Sequence, residues 1–169
     1  MRGLHAHCSF LQPPHGGRTW LSRRHYNNQH GIAMEIDRFK HHHVQILQGI
    51  KKMREYAHAG IAEHASVIAQ QLKELSSLVT LHLAIEDRIL YPALRQGADA
   101  ELARMGKAYQ DDMKGIASAY IAFSRQWRTG AAIAAAAEEF RAQANVVLRD
   151  LHARMQRENR EFYPAIEAA

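Results

Sequence analysis

The sequence predicts an all-α fold, an up-down-up-down antiparallel four-helix bundle. Three observations point there. The chain is rich in Ala, Leu, Ile, Glu, Gln and Arg and poor in β-branched residues, a helix-forming composition. From about residue 37 apolar residues recur at spacings of three and four, so each segment carries one apolar face. Short Gly-, Asp- and Thr-containing breaks separate the segments, and short connections make sequential helices antiparallel neighbours.

Taken in order, helix A is expected from about Asp37 to Ala57, with Phe39, His43, Ile46/Leu47, Ile50, Met53 and Ala57 inward and Ala59-Gly60 as its break. Helix B should run from about Ile61 to Tyr91, with Ile68, Leu72, Leu75, Leu78/Val79, His82, Ile85/Glu86 and Ile89 inward. Pro92, lacking an amide donor, should close it. Asp99 is a good N-cap for helix C, about Ala100 to Trp127. Its stripe is Leu102, Met105, Tyr109, Met113, Ile116, Tyr120, Phe123 and Trp127. Helix D should span about Ala131 to Tyr163 and stop at Pro164, with Phe140, Ala144, Val147, Leu151, Met155, Glu158 and Phe162 inward.

The 169 residues suit one helical domain, 34–169, behind a distinct segment, 1–33. That segment holds two of the four prolines, four of the ten glycines and five scattered histidines, and reads as a disordered basic extension. It carries +4 of the formal net charge of +5, leaving the domain nearly neutral at 18 basic against 17 acidic residues. Without an apolar stretch it is not a secretory signal, and Met34 is a candidate true start with the upstream residues non-native. A basic tail without a basic folded face argues against nucleic acid as a partner. No apolar run is long enough to span a bilayer. The lone Cys8 excludes a disulfide framework and a thiolate zinc site, in keeping with a cytoplasmic location.

Polar residues on the apolar stripes are the informative ones. His82-x-x-x-Glu86 sets an imidazole and a carboxylate one turn apart on one face of helix B, where both can reach one ion. Glu86-Asp87-Arg88-Ile89-Leu90-Tyr91-Pro92-Ala93-Leu94 recurs as Glu158-Asn159-Arg160-Glu161-Phe162-Tyr163-Pro164-Ala165-Ile166. Helices B and D therefore end alike, with Glu86 and Glu158 at similar depth. Folding A against B about residues 60–62 sets His82 opposite residue 40, within a turn of His43, whose neighbours His41 and His42 read as solvated. His43, His82, Glu86 and Glu158 then converge from three helices, and a buried acid is expensive unless paired or coordinated.

At His43-Val44-Gln45-Ile46-Leu47, His82-Leu83-Ala84-Ile85-Glu86 with the Leu90-Tyr91-Pro92 end, and Glu158 with the Tyr163-Pro164 end, the sequence resembles the hemerythrin-like HHE cation-binding family. The resemblance covers about residues 37–166. It implies a bundle that commonly holds two carboxylate-bridged non-haem irons and binds or senses oxygen. By that resemblance His43, His82 and Glu86 occupy ligand positions and Glu158 the carboxylate position of the last helix.

The resemblance breaks at two places. Helix C should supply H-x-x-x-H, yet no histidine stands between His82 and His152, and Met105, Tyr109 and Met113 fall at those spacings. Tyr109 is left as a secondary candidate, since tyrosinate can bind ferric iron. One turn before Glu158 stands Arg154, which cannot ligate but can pair with Glu158 or Glu86 and replace one metal. His152, six residues before Glu158, is about 120° round the helix.

Two readings follow. One is a cation-binding protein with an incomplete ligand set, carrying iron as one or two ions and sensing oxygen or nitric oxide or handling iron. The other is a metal-free degenerate bundle acting as a regulatory or protein-binding module, monomeric or homodimeric. Neither is an enzyme, since no catalytic constellation lies outside the metal site. A ferritin-like oxidase needs two Glu-x-x-His motifs, and only Glu55-x-x-His58 is present.

Overall fold

The computed structural model describes the chain from Trp20 to Ala169, with side chains from Glu35 onward. Residues 1–19, most of the expected disordered extension, lie outside the described residues. The expected bundle forms, from α1 (Trp20–Ala59), α2 (Ala65–Ile85), α3 (Tyr91–Gln96), α4 (Ala100–Gln126), α5 (Gly130–Ala135), α6 (Ala137–Arg157) and α7 (Tyr163–Glu167). Two five-residue π-helical turns, Glu86–Leu90 and Glu158–Phe162, join α2 to α3 and α6 to α7. The described residues contain no strand. The first helix starts at Trp20 rather than near Asp37, so it takes in residues 20–33 of the segment expected as a disordered extension.

The α1–α2 and α4–α6 pairs are the closely packed hairpins, and α1–α6 and α2–α4 close the bundle. Gly60 turns the first hairpin at a φ of 128°, which favours glycine. Asp99 caps α4 as expected, its Oδ1 accepting from the amides of Glu101 and Leu102 at 2.8 and 3.0 Å. Thr129 caps α5, which packs on α2 and buries Ile133. The chain bends at Ala136 (φ −139°, ψ 51°), so helix D is two helices where one was expected. At Gly130 the backbones nearly touch, since a Cβ there would stand 2.8 Å from the Ser66 Cα. Gly130→Ala is therefore expected to cost about 1–3 kcal/mol in urea unfolding.

Neither proline ends its helix. Pro92 and Pro164 each follow a π-helical turn and sit in the first turn of the helix that continues, α3 or α7. The wider turn relieves the clash with the preceding carbonyl, and the missing amide falls where a new α segment begins. The extra residue also shifts the helical register. Ile89, expected inward, is 44% exposed, and Leu90 takes its place in the core.

The core divides into two apolar clusters. The larger contains Ile46, Ile68, Leu72, Val79, Tyr120, Phe123, Trp127 and Met155 and fills the bundle toward the α1–α2 turn. The smaller, with Ile36, Phe39, Tyr91, Tyr109, Phe162 and Tyr163, closes the end formed by the two Tyr-Pro segments. Between them along the chain fall the buried polar residues His43, His82, Glu86, Arg154 and Glu158.

Candidate metal centre

α1 contributes His43, α2 contributes His82, the first π turn opens on Glu86, and α6 with its π turn contributes Arg154 and Glu158. All five are at most 3% exposed. His43 Nε2 and His82 Nε2 stand 3.1 Å apart, and His43 Nε2 is 3.4 Å from Glu158 Oε2. His82 Nε2 is 3.7 Å from Glu86 Oε1. Donor atoms of His43, His82 and Glu158 all lie within 4.8 Å of one another.

This donor set suits a cation. Two imidazole nitrogens bound to one ion at about 2.1 Å lie about 3.0–3.4 Å apart at octahedral or tetrahedral angles. His43 Nδ1 is 2.8 Å from Asn159 Oδ1, which only accepts, so Nδ1 carries the proton and the Nε2 lone pair faces the cluster. The Tyr163 hydroxyl donates to Glu86 Oε1 at 3.0 Å and lies 3.3 Å from His43 Nε2. Burial and the two nearby carboxylates push the Tyr163 phenol well up, so it stays a donor. Burial, then the neighbouring His43, His42 and Arg154, holds His82 well below the ordinary histidine value, so its imidazole is neutral, as a ligand requires.

Glu86 is pushed well up, by burial first and by Glu158 second. Two carboxylates in one dry pocket lack enough positive charge between them. Arg154 supplies part of it. Its Nε donates to Glu158 Oε1 at 2.7 Å and its Nη2 to the Tyr91 hydroxyl at 3.5 Å, while its Cζ lies 4.4 Å from the Tyr109 ring centre. The pair is thus single-pronged on Glu158, leaving Oε2 free to face His43.

Tyr109 is held elsewhere. Its hydroxyl donates to Glu161 at 3.3 Å and its ring stacks on Phe162 at 4.3 Å between centroids, so it is not brought into the donor cluster. His152 is exposed, as its angular offset implies. His42 departs from expectation. It is buried, 7% exposed, with its ring 5.9 Å from that of His82. Asn159, Tyr163 and Tyr91 also went unassigned, although all three stand within the repeated segment.

A model of the hemerythrin HHE cation-binding domain matches residues 34–166. The chain belongs to the hemerythrin HHE family. No curated protein and no solved structure matches it. Family membership agrees with the resemblance read from His43, His82–Glu86 and the Tyr-Pro ends, and gives the buried cluster a cation-binding context. No helix among the described residues is long and apolar enough to cross a membrane.

Proposed function

We propose that the protein holds a single non-haem iron ion through His43, His82, Glu158 and Glu86, with Arg154 standing where a second ion would sit. The observation that supports this reading is the pair of facing imidazole nitrogens, 3.1 Å apart and buried beside Glu158. Two neutral imidazoles and two carboxylates form a mixed nitrogen–oxygen set of the kind non-haem iron accepts. Bound there, iron would supply an open position for a diatomic ligand such as oxygen or nitric oxide. His43 would be oriented by Asn159, Glu86 by Tyr163 and Glu158 by Arg154, while the two apolar clusters exclude water. The role would be sensing or iron handling in the cytoplasm, not turnover of a substrate.

A second reading has one observation in its favour. The Arg154–Glu158 pair at 2.7 Å neutralises a carboxylate without any metal, as in a metal-free interaction module. Elemental analysis of protein purified without a polyhistidine tag separates the two. Near-stoichiometric iron, lost in His82→Ala, is expected under the first. Less than about one-tenth of a metal per chain would falsify it.

A further inference from the structure

A groove of about 640 Å³ lies between α2 and α4, over Leu72 and Trp127 of the larger apolar cluster. Three cations line it: Lys73 from α2, Arg125 in the last turn of α4 and Arg128 just beyond it. No carboxylate of a described residue joins them on the wall. None of the three side chains has an ion-pair or hydrogen-bond partner among the described residues. Earlier on α4, by contrast, Lys107 and Lys114 both pair with Asp111. Glu74, next to Lys73 in sequence, lies off the groove and accepts from Gln70 and Gln71 at 2.8 and 3.0 Å. Of the hydroxyls on the wall, those of Ser76, Ser77 and Ser124 donate to helix carbonyls, which leaves the Thr80 hydroxyl as a free donor.

An exposed cation is solvated and needs no partner, so one alone would carry no weight. The helical domain, however, balances 18 basic against 17 acidic residues, and this wall departs from that balance. Cations at the carboxyl end of a helix also offset its dipole, which accounts for Arg125 and Arg128. It does not account for Lys73, in the middle of α2, nor for a wall without an acid. Like charges around one concavity repel one another and focus a positive potential there, which a bound anion relieves. Guanidiniums match phosphate oxygens in forked pairs, and the ammonium across the groove adds a point charge. The volume suits a small molecule.

We propose that this groove binds a small soluble molecule carrying a multiply charged phosphate group, held by Lys73, Arg125, Arg128 and the Thr80 hydroxyl. Three cations answer two or more negative charges, and a monoanion leaves most of their field unmatched. None of these residues belongs to the donor cluster, so the inference holds whether or not a metal binds. Arg125 also lines a cleft of about 570 Å³ whose wall includes Glu86, so the two concavities adjoin.

Calorimetric titration of the full chain with sodium pyrophosphate tests the inference. The protein is first stripped with a chelator and dialysed, because pyrophosphate itself takes up cations. Expected is binding that weakens at least about tenfold in the double variant Arg125→Gln/Arg128→Gln, and weakens also in Lys73→Gln. The double variant Lys52→Gln/Arg54→Gln removes the same charge from α1 and should bind as the parent does. All five substituted residues are exposed, and circular dichroism confirms that the variants fold. Absence of pyrophosphate binding overturns the inference, and so does equal weakening in the two double variants, which would mark net charge alone. Nitrate binding as tightly as pyrophosphate also overturns it. Binding to phosphatidic-acid vesicles without binding to pyrophosphate would assign the groove to a membrane surface instead. A short single-stranded oligonucleotide bound more tightly than pyrophosphate, and released by Arg125→Gln/Arg128→Gln, would assign it to nucleic acid.

Discussion

Replacing Arg154 by methionine is expected to lower the melting temperature of the metal-free protein by roughly 10 °C. The guanidinium is 3% exposed and donates to Glu158, itself 1% exposed, at 2.7 Å. Removing one partner of a buried pair leaves an uncompensated charge and costs about 3–5 kcal/mol, each worth about 2–4 °C in a chain of this size. Methionine fills similar volume, so little of the loss comes from a cavity. A divalent cation should reverse the effect, because it restores the missing positive charge and no longer faces a guanidinium. Melting curves with and without manganese(II) check this. The cation-induced rise should be larger in Arg154→Met than in the parent, and an unchanged melting temperature in the metal-free variant would show that Glu158 does not depend on Arg154.

Glu86→Gln should change how stability depends on pH, and in the opposite sense to most carboxylate substitutions. Burial and Glu158 raise the folded value of Glu86 above 4.5, so between 4.5 and that raised value the folded state holds a proton that the unfolded chain has released. Stability contributed by the neutral carboxyl is present below about 4.5 and is lost as pH climbs through the raised folded value. His82 acts the other way. Its folded value lies below 6.5, so stability falls as pH drops below 6.5, where the unfolded chain takes up a proton and the folded one does not. The two therefore act in opposite senses, Glu86 from 4.5 up to its raised folded value and His82 below 6.5. Urea unfolding from pH 5 to 8 should show metal-free Glu86→Gln gaining on the parent as pH rises. A constant difference across that range would sink the argument. Cation affinity should move the other way, falling at least about tenfold in Glu86→Gln, because a neutral amide is a weaker ligand than a carboxylate. The residue that makes the empty protein less stable as pH rises is the one that helps hold the ion.

The helix stripes and their polar intruders were legible because helical periodicity is local. His43, His82, Glu86 and Glu158 could be set at one depth from hairpin lengths and the repeated Tyr-Pro segments alone. Three things were not legible. A π turn changes register without any residue type that announces it, so Ile89 read as core and Leu90 did not. Proline is ordinarily a stop, and only the preceding wide turn lets α3 and α7 continue past Pro92 and Pro164. His42 lies one position off its stripe, and its burial depends on how α1 seats against the His82 ring, a tertiary matter. Asn159 and Tyr163 were visible in the repeat, but their roles depend on hydrogen bonds spanning more than 70 residues of chain.

The paired π turns have a further consequence. A π turn is an α-helix carrying one inserted residue, and both insertions open on the glutamate of the centre, at Glu86 and at Glu158. The identical lengths and matching Tyr-Pro sequels give both halves of the bundle the same device. The geometry beside each carboxylate therefore depends on the length of its turn as much as on its residues. One deletion on the half-exposed flank at Ile89 would swing Tyr91 by about a quarter turn while leaving every ligand in the sequence.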